Sequence, residues 1–334
     1  MEEPREEVAA STEPQRRRSP WRAALTALIT AAVVVLLVNE LGGARELLAT
    51  ARSASWPWLI VAFGLACLSV MVSAQRWRQV LSGMGYSLGF GRSLHAVLAA
   101  WPISVVTPSR AGDFVRALLV RDRVPLSAST GSVLAEKLID VHALLVVGLV
   151  SAGAYRLWRE LAMLAVLLVA EWLAVIMLLR GRRRLLRLGV FARRKAAIDR
   201  LYESFDQLAS RPRSLLVISS SSLGVRLLTV GVIVALLRAV GVELPFFALV
   251  APWMLATLAG LLPFTLAGMG TRDATFVLLV QLATVRAIPE PKLVFATMGY
   301  SLLALWSFAL LGLPLFAASS VRSRRVSTAV PEQR

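Results

Sequence analysis

The sequence predicts an all-α polytopic membrane bundle of about six full spans plus two re-entrant, interrupted hairpins, readable as an inverted-topology repeat. Three observations predict it. Of the 334 residues, 57% are hydrophobic and only 17% are charged. Several apolar runs approach or exceed the roughly 20 residues needed to cross a bilayer. Two further runs are broken by proline and glycine beside ionisable residues, at Pro108–Arg116 and at Pro263–Asp273. The short alternating segments of a membrane β-barrel are absent.

Residues 1–20 are polar, with an acidic start and the cluster Arg16–Arg18, and read as a disordered tail. No cleavable signal pattern follows it. Residues 23–38 form the first span. Residues 40–55 carry balanced charge and suit a short surface helix. Residues 56–74 are the second span, with Trp56 and Trp58 placed for an interface belt. The run 94–106 is too short to cross and reads as one arm of a re-entrant hairpin. Its turn at 107–112 then lines a cavity, because irregular backbone at membrane depth is tolerated only against protein or water. A short helix carrying Asp113, Arg116, Arg121, Asp122 and Arg123 follows.

Residues 138–155 and 161–179 are the third and fourth spans. The basic segment 180–213 includes a surface-lying amphipathic helix at 196–208. Residues 214–240 are the fifth span. The run 244–262 meets Pro263, is interrupted by FTLAGMGTRDA, and resumes at 275–285 as a second hairpin. Residues 294–317 are the sixth span, and a basic tail closes the chain. Residues 21–319 thus form one domain with halves at 21–157 and 158–319, followed by a tail at 320–334.

Positive-inside bias places the basic segments around Arg16–Arg22, Arg76–Arg92, Arg110–Arg123, 180–213 and Arg322–Arg325 on the cytoplasmic side of a bacterial plasma membrane, with both termini cytoplasmic. Six spans satisfy this if each hairpin returns to the side it entered from. Each half then reads span, span, hairpin, span, with opposite starting sides. Pro108, Gly112 and Arg116 correspond loosely to Pro263, Gly268 and Arg272. Paired Gly/Pro-interrupted segments in two halves point to a site near the bilayer midplane.

The net charge of +17 serves topology and anionic lipid rather than nucleic acid, since the basic clusters lack interleaved aromatics or a recognisable module. Cys67 is the single cysteine, which leaves no intramolecular disulfide or thiolate cluster. His95 and His142 are too few for a metal site. No cofactor or metal is expected, and no catalytic or ATP-binding motif is present.

The candidate site residues are ionisable groups at membrane depth, where charge is costly and marks a pathway or binding site. Asp113 and Arg116 share a helix face, as do Glu136 and Asp140. The arginines suit a lipid phosphate, with the carboxylates holding them. Arg272 and Asp273 follow Gly268 and Gly270, which permit positive φ or close backbone approach. Asp273 suits a helix start and Arg272 does not, so Arg272 needs an anionic partner. Glu171 and Arg226 sit mid-span and are candidates to pair with each other.

Three segments, PSRAGDFVRALLV (108–120), AEKLID (135–140) and LPFTLAGMGTRDA (262–274), resemble the transmembrane flippase-like domain family of the lysylphosphatidylglycerol synthases. Pro108, Gly112, Asp113 and Arg116 match its first motif, with Asp113 where Glu is commoner. Glu136 and Asp140 match the second, where Lys137 replaces Arg. Gly268, Gly270 and Arg272 match the third, with Asp273 for Glu. The resemblance implies interrupted helices and a domain that moves a modified phospholipid between leaflets. The soluble aminoacyltransferase domain of those synthases has no counterpart in this sequence. The expected function is translocation of a phosphate-bearing lipid, a membrane phospholipid or a polyprenyl phosphate, by a protein that is not itself an enzyme. A separate lipid-modifying transferase is an expected partner. The alternatives are a membrane subunit of an enzyme acting on polyprenyl-phosphate or glycolipid substrates, and a non-transporting accessory protein.

Overall fold

In lipid, backbone N–H and C=O groups have no water to bond, so apolar runs are driven into helices that satisfy themselves. The computed structural model describes residues 43–180, 195–262, 265, 268–284 and 288–328, and these are helical with no strand among them. The helices are α1 (Gly43–Arg52), α2 (Trp56–Gly83), α3 (Phe90–Val106), α4 (Val115–Leu119), α5 (Leu126–Ala154), α6 (Trp158–Arg180) and α7 (Lys195–Ala209). They continue as α8 (Pro212–Ala239), α9 (Phe246–Ala259), α10 (Thr271–Ala283), α11 (Glu290–Tyr300) and α12 (Ser307–Thr328). Proline stands just before or within the first two residues of α2, α5, α8, α9 and α11, where its missing N–H costs no helical bond.

Among the described residues, four stretches are long and apolar enough to cross a membrane: Trp56–Gly83, Trp158–Met177, Pro212–Ala239 and Glu290–Ser319. Helix α5 matches them in length at 29 residues while carrying Glu136, Lys137 and Asp140. The expected first span, the N-terminal tail, Pro263 and most of the basic connection before Lys195 lie outside the described residues. The final helix runs on to Thr328, beyond the expected end of the sixth span.

Helices α2 and α8 form the most extensive helix pair. Ala62, Ala66, Val70 and Ala74 recur every fourth residue on α2 and are all buried. Small residues at that spacing let two helix backbones approach and gain dispersion contacts, which replace the hydrophobic drive missing in lipid. Around this pair, α3 packs on α12 and α9 packs on α5. Each half's hairpin arm therefore lies against the closing span of the other half.

Both interrupted hairpins are present. Arm α3 ends at Val106, a 3₁₀ turn covers Pro108–Phe114, and α4 leads the chain back. An ion pair between Arg92 and Asp122 joins the start of this hairpin to its end, so the chain returns to the level it left. Only Val115–Leu119 is α-helical in the return arm. Asp113 sits in the 3₁₀ turn, and Arg121–Arg123 form a turn rather than the expected helix. In the second hairpin α9 and α10 lie side by side, with Trp253 edge-on to Phe276 at 5.4 Å. Helix α7 was expected on the surface. Glu203, Asp206 and Gln207 are exposed, while its inner face meets protein: Tyr202 and Leu208 are buried, and Leu208 packs with Val80, Met84, Ala135 and Ile218.

Two glycines make the hairpin tips feasible. A Cβ on Gly112 would strike the backbone of Ile103 and Ser104, so the turn lies directly on α3. Gly268 has φ 75° and would bring a Cβ within 2.7 Å of Gly260 Cα. Only glycine meets both demands cheaply. Gly270, with φ 90°, turns the chain into α10.

Candidate functional site: a buried ion ladder between two hairpin tips

Five charged side chains from four helices form a continuous ladder in the bundle interior. Arg76 on α2 donates from Nη2 to Glu136 Oε1 at 2.5 Å and from Nη1 to Asp140 Oδ1 at 2.6 Å. Its Nη1 also reaches Ser222 Oγ on α8 at 3.3 Å. Arg116 on α4 donates to the second oxygen of Glu136, and Arg226 on α8 donates to the second oxygen of Asp140. The order is Arg116–Glu136–Arg76–Asp140–Arg226. Glu136 and Asp140 lie one turn apart on α5, which is why one guanidinium fork bridges them. The Arg116 guanidinium also lies over the Trp77 ring at 4.8 Å, and Trp77 Nε1 donates to Ser132 Oγ at 2.9 Å.

Two members of the ladder stand at mid-helix. Asp140 is the fifteenth of the 29 residues of α5, and Arg226 the fifteenth of the 28 of α8. Arg76, Arg116 and Glu136 are 4%, 5% and 3% exposed. Desolvating an ion costs several kcal/mol, so charges persist here only because each carboxylate oxygen holds a donor. A second connection runs beside the first: Lys137 pairs with Asp113, whose Oδ1 accepts from Ser104 Oγ at 2.5 Å.

Arg272 and Asp273 make a separate cluster at the second hairpin. Arg272 donates to Asp273 Oδ1 from Nε at 3.1 Å and from Nη2 at 2.7 Å, and Nη2 also reaches Ser301 Oγ at 2.5 Å. Its guanidinium lies against the rings of both Trp253 (5.6 Å) and Tyr300 (4.9 Å), which meet edge to face. Asp273 Oδ2 accepts the Gly270 N–H at 3.1 Å, so the acidic residue both starts α10 and neutralises its neighbour. Ser301 opens a π-helical turn, Ser301–Trp306, between α11 and α12. Such a bulge inserts extra backbone into a helix and often marks a functional position. Here it aims Ser301 and Tyr300 at Arg272.

Two adjoining cavities of about 90 Å³ each separate these clusters. One is lined by Arg76, Asp113, Arg116, Glu136, Trp101 and Thr229, and the other by Trp253, Thr257, Gly260 and Arg272. Arg110, Lys137, Asp140, Arg226, Tyr300 and Leu305 line both. The tips of the two hairpins therefore face one shared space. Its cations are Arg76, Arg110, Arg116, Lys137, Arg226 and Arg272, and its carboxylates are Asp113, Glu136 and Asp140. Counting Asp273, which holds Arg272, six cations face four carboxylates. Four of the arginines, Arg76, Arg110, Arg116 and Arg226, have a buried Nε–H with no acceptor among the described residues.

Of the residues the sequence singled out, Arg116, Glu136, Asp140 and Asp113 come together, and Arg272 and Asp273 adjoin them. Gly112, Gly268 and Gly270 shape the tips. Pro108 opens the 3₁₀ turn. The expected pairing of Glu171 with Arg226 is replaced. Arg226 reaches Asp140, while Glu171 Oε2 lies 3.1 Å from His142 Nδ1. Asp140 stands at the same mid-helix level on a helix that packs against α8, whereas Glu171 belongs to α6 on the far side of α5.

Arg76 and Arg110, counted in the sequence only among the basic segments of the cytoplasmic side, line the cavity. For Arg76 a signal existed. Ser69, Ser73 and Arg76 recur at helical spacing and all line the cavity, a polar stripe along an otherwise apolar span.

Comparison with known proteins agrees with this architecture. Residues 23–312 match the family described as the lysylphosphatidylglycerol synthase TM region. A 91-residue segment is 35% identical to a "UPF0104 membrane protein" of Archaeoglobus fulgidus, covering 27% of this chain and 28% of that protein. The family match extends over most of the chain, so the chain belongs to the lysylphosphatidylglycerol synthase TM region family.

Proposed function

We propose that this integral membrane protein is a flippase-like transporter that carries a phosphate-bearing lipid between leaflets of the bacterial cytoplasmic membrane. The observation that carries the reading is the surplus of cations in a mid-helix cavity bounded by two hairpin tips. Buried charge is expensive, and a surplus of one sign there is stabilised by a ligand of the other sign. An anionic head group supplies it, while the acyl chains stay in lipid. Arginine forks match phosphate oxygens, and Arg116 and Arg272 present them from opposite hairpins.

On this reading the protein performs no covalent chemistry. The ladder of paired charges is the device that exchanges partners as a head group passes. A separate lipid-modifying transferase supplies or consumes the cargo, and both termini face the cytoplasm.

The test is leaflet exchange of fluorescent phospholipids in liposomes containing the purified protein. Wild-type protein is expected to speed exchange of at least one phosphate-bearing lipid, and Arg116→Ala to abolish the gain. Absence of exchange for every phosphate-bearing lipid, polyprenyl phosphate included, overturns the proposal.

A further inference from the structure

Which phosphate head group fits can be read from the partners of each cation. Arg76 is shared by Glu136 and Asp140, Arg116 is held by Glu136, and Arg226 by Asp140. Lys137 is held by Asp113 and Arg272 by Asp273. Arg110 is different. It makes no ion pair among the described residues, and its guanidinium carbon lies 5.0 Å from the centre of the Trp101 ring. Its Nε–H is buried without an acceptor. It stands at the tip of the first hairpin and lines both cavities. Its backbone φ is 53°, a left-handed conformation that a long side chain rarely adopts. Sterically disfavoured backbone of this kind is retained where it positions a functional group.

Charge and size narrow the ligand. Among the described residues, six cations against four carboxylates leave an excess of two positive charges. A phosphate monoester carries about −1.5 to −2 at pH 7. A diester such as a phosphatidylglycerol head carries one charge fewer, and a zwitterionic head adds a cation where cations are already in excess. The cavities, at about 90 Å³ each, are small beside the ~300–1,000 Å³ of pockets that hold drug-sized ligands. A phosphoryl group with a few waters fits, and an extended head group does not. A monoester also offers three terminal oxygens to the four unsatisfied guanidinium N–H groups.

Resting on the function proposed above, we propose that the cavity takes a compact, doubly charged phosphate monoester and that Arg110 contacts its phosphoryl oxygens. Arg76, Arg116, Arg226 and Lys137 then set the field around the anion, and Arg110, which interacts with Asp113 without an ion-pair contact among the described residues, is the cation that turns to it. The same chemistry is offered by a lipid phosphomonoester and by free phosphate, so the experiment includes both.

The experiment titrates the melting temperature of the purified full-length protein in detergent with dioctanoyl phosphatidate, dioctanoyl phosphatidylglycerol, dioctanoyl phosphatidylcholine and inorganic phosphate. Phosphatidate is expected to bind at least about tenfold tighter than either diester. Loss of one charge-assisted contact weakens binding by about 10- to 100-fold, the effect expected of Arg110→Asn on phosphatidate. Asparagine tolerates positive φ, so the ligand-free melting temperature should hold. Arg110→Gly, which adopts that φ without strain, is the second variant if it does not. Arg121→Ala, at an exposed position on the same hairpin, should bind as wild type.

Equal binding of phosphatidylglycerol, or wild-type affinity in both Arg110 variants, overturns the inference. The transport reading survives that result, because its own test is leaflet exchange. Tight, Arg110-dependent binding of inorganic phosphate supports the dianion site and assigns it to free phosphate rather than to a lipid.

Discussion

Replacing Glu136 by glutamine removes one negative charge from between two buried arginines. In the native protein each carboxylate oxygen holds one guanidinium, from Arg76 and from Arg116. The amide of glutamine can accept from one of them and turns an N–H₂ toward the other. Both arginines are nine-tenths or more buried, so solvent does little to screen the loss. Removing one partner of a buried pair costs about 3–5 kcal/mol. At the low end that shifts the folded-to-unfolded ratio by more than about a hundredfold. The companion variant replaces Arg76, Arg116 and Glu136 together by leucine, removing the charges as a unit. Apolar replacement of a whole buried ion cluster is neutral or stabilising by about 1–4 kcal/mol. In that variant Asp140 keeps Arg226 on one oxygen and loses the Arg76 donor on the other, so recovery stops short of complete. Unfolding in mixed micelles, followed by tryptophan fluorescence, measures both, since Trp77 lies against Arg116. Glu136→Gln is expected to be strongly destabilised and the triple variant to recover most of the loss, while lipid exchange is lost in both. A triple variant as unstable as Glu136→Gln refutes the argument, because the ladder would then be stabilising the fold outright.

Two further expectations follow from the geometry. A double-mutant cycle on Asp140→Asn and Arg226→Leu should show a coupling of roughly 0.5–3 kcal/mol, as directly bonded residues do. The cycle on Glu171→Gln and Arg226→Leu should be additive within about 0.5 kcal/mol, and coupling there would contradict the observed pairing. Gly112→Ala and Gly268→Ala should each lower stability by about 1–3 kcal/mol in the same unfolding assay, since a Cβ at either meets backbone. Gly64→Ala, on an open helix face, should be neutral or stabilising by about 0.5–1 kcal/mol, and a loss as large as that at Gly112 would refute the packing account.

Much of the architecture was legible in the sequence because its causes are local. An apolar run of sufficient length has no alternative to a helix in lipid. The two hairpins announced themselves as short runs broken by Gly112 and by Gly268 and Gly270, residues whose backbone freedom acts within a turn. The return arm of the first hairpin was misjudged because its helical pattern was short, and a turn packed against Ile103 and Ser104 took its place. Helix α7 had a visible amphipathic pattern, but the pattern does not say whether the apolar face meets lipid or protein. Here Leu208 meets Val80 and Ile218.

The site was legible in its parts and not in its connections. Asp113, Arg116, Glu136, Asp140, Arg272 and Asp273 stood out as charges in apolar surroundings, because the cost of such placement depends only on depth. Which charge meets which depends on contacts between residues far apart in the chain. Arg76 bonds Glu136, Asp140 and Ser222 across 60, 64 and 146 residues, and no local pattern encodes those distances. Arg226 found Asp140 rather than Glu171 because α5 packs beside α8. Arg110 makes no ion pair among the described residues for the same reason. The sequence by itself determined the helices, the breaks in them and the residues too costly to bury alone. Only the tertiary structure decided how those costs are offset, because it alone brings carboxylates of one helix within reach of arginines from three others.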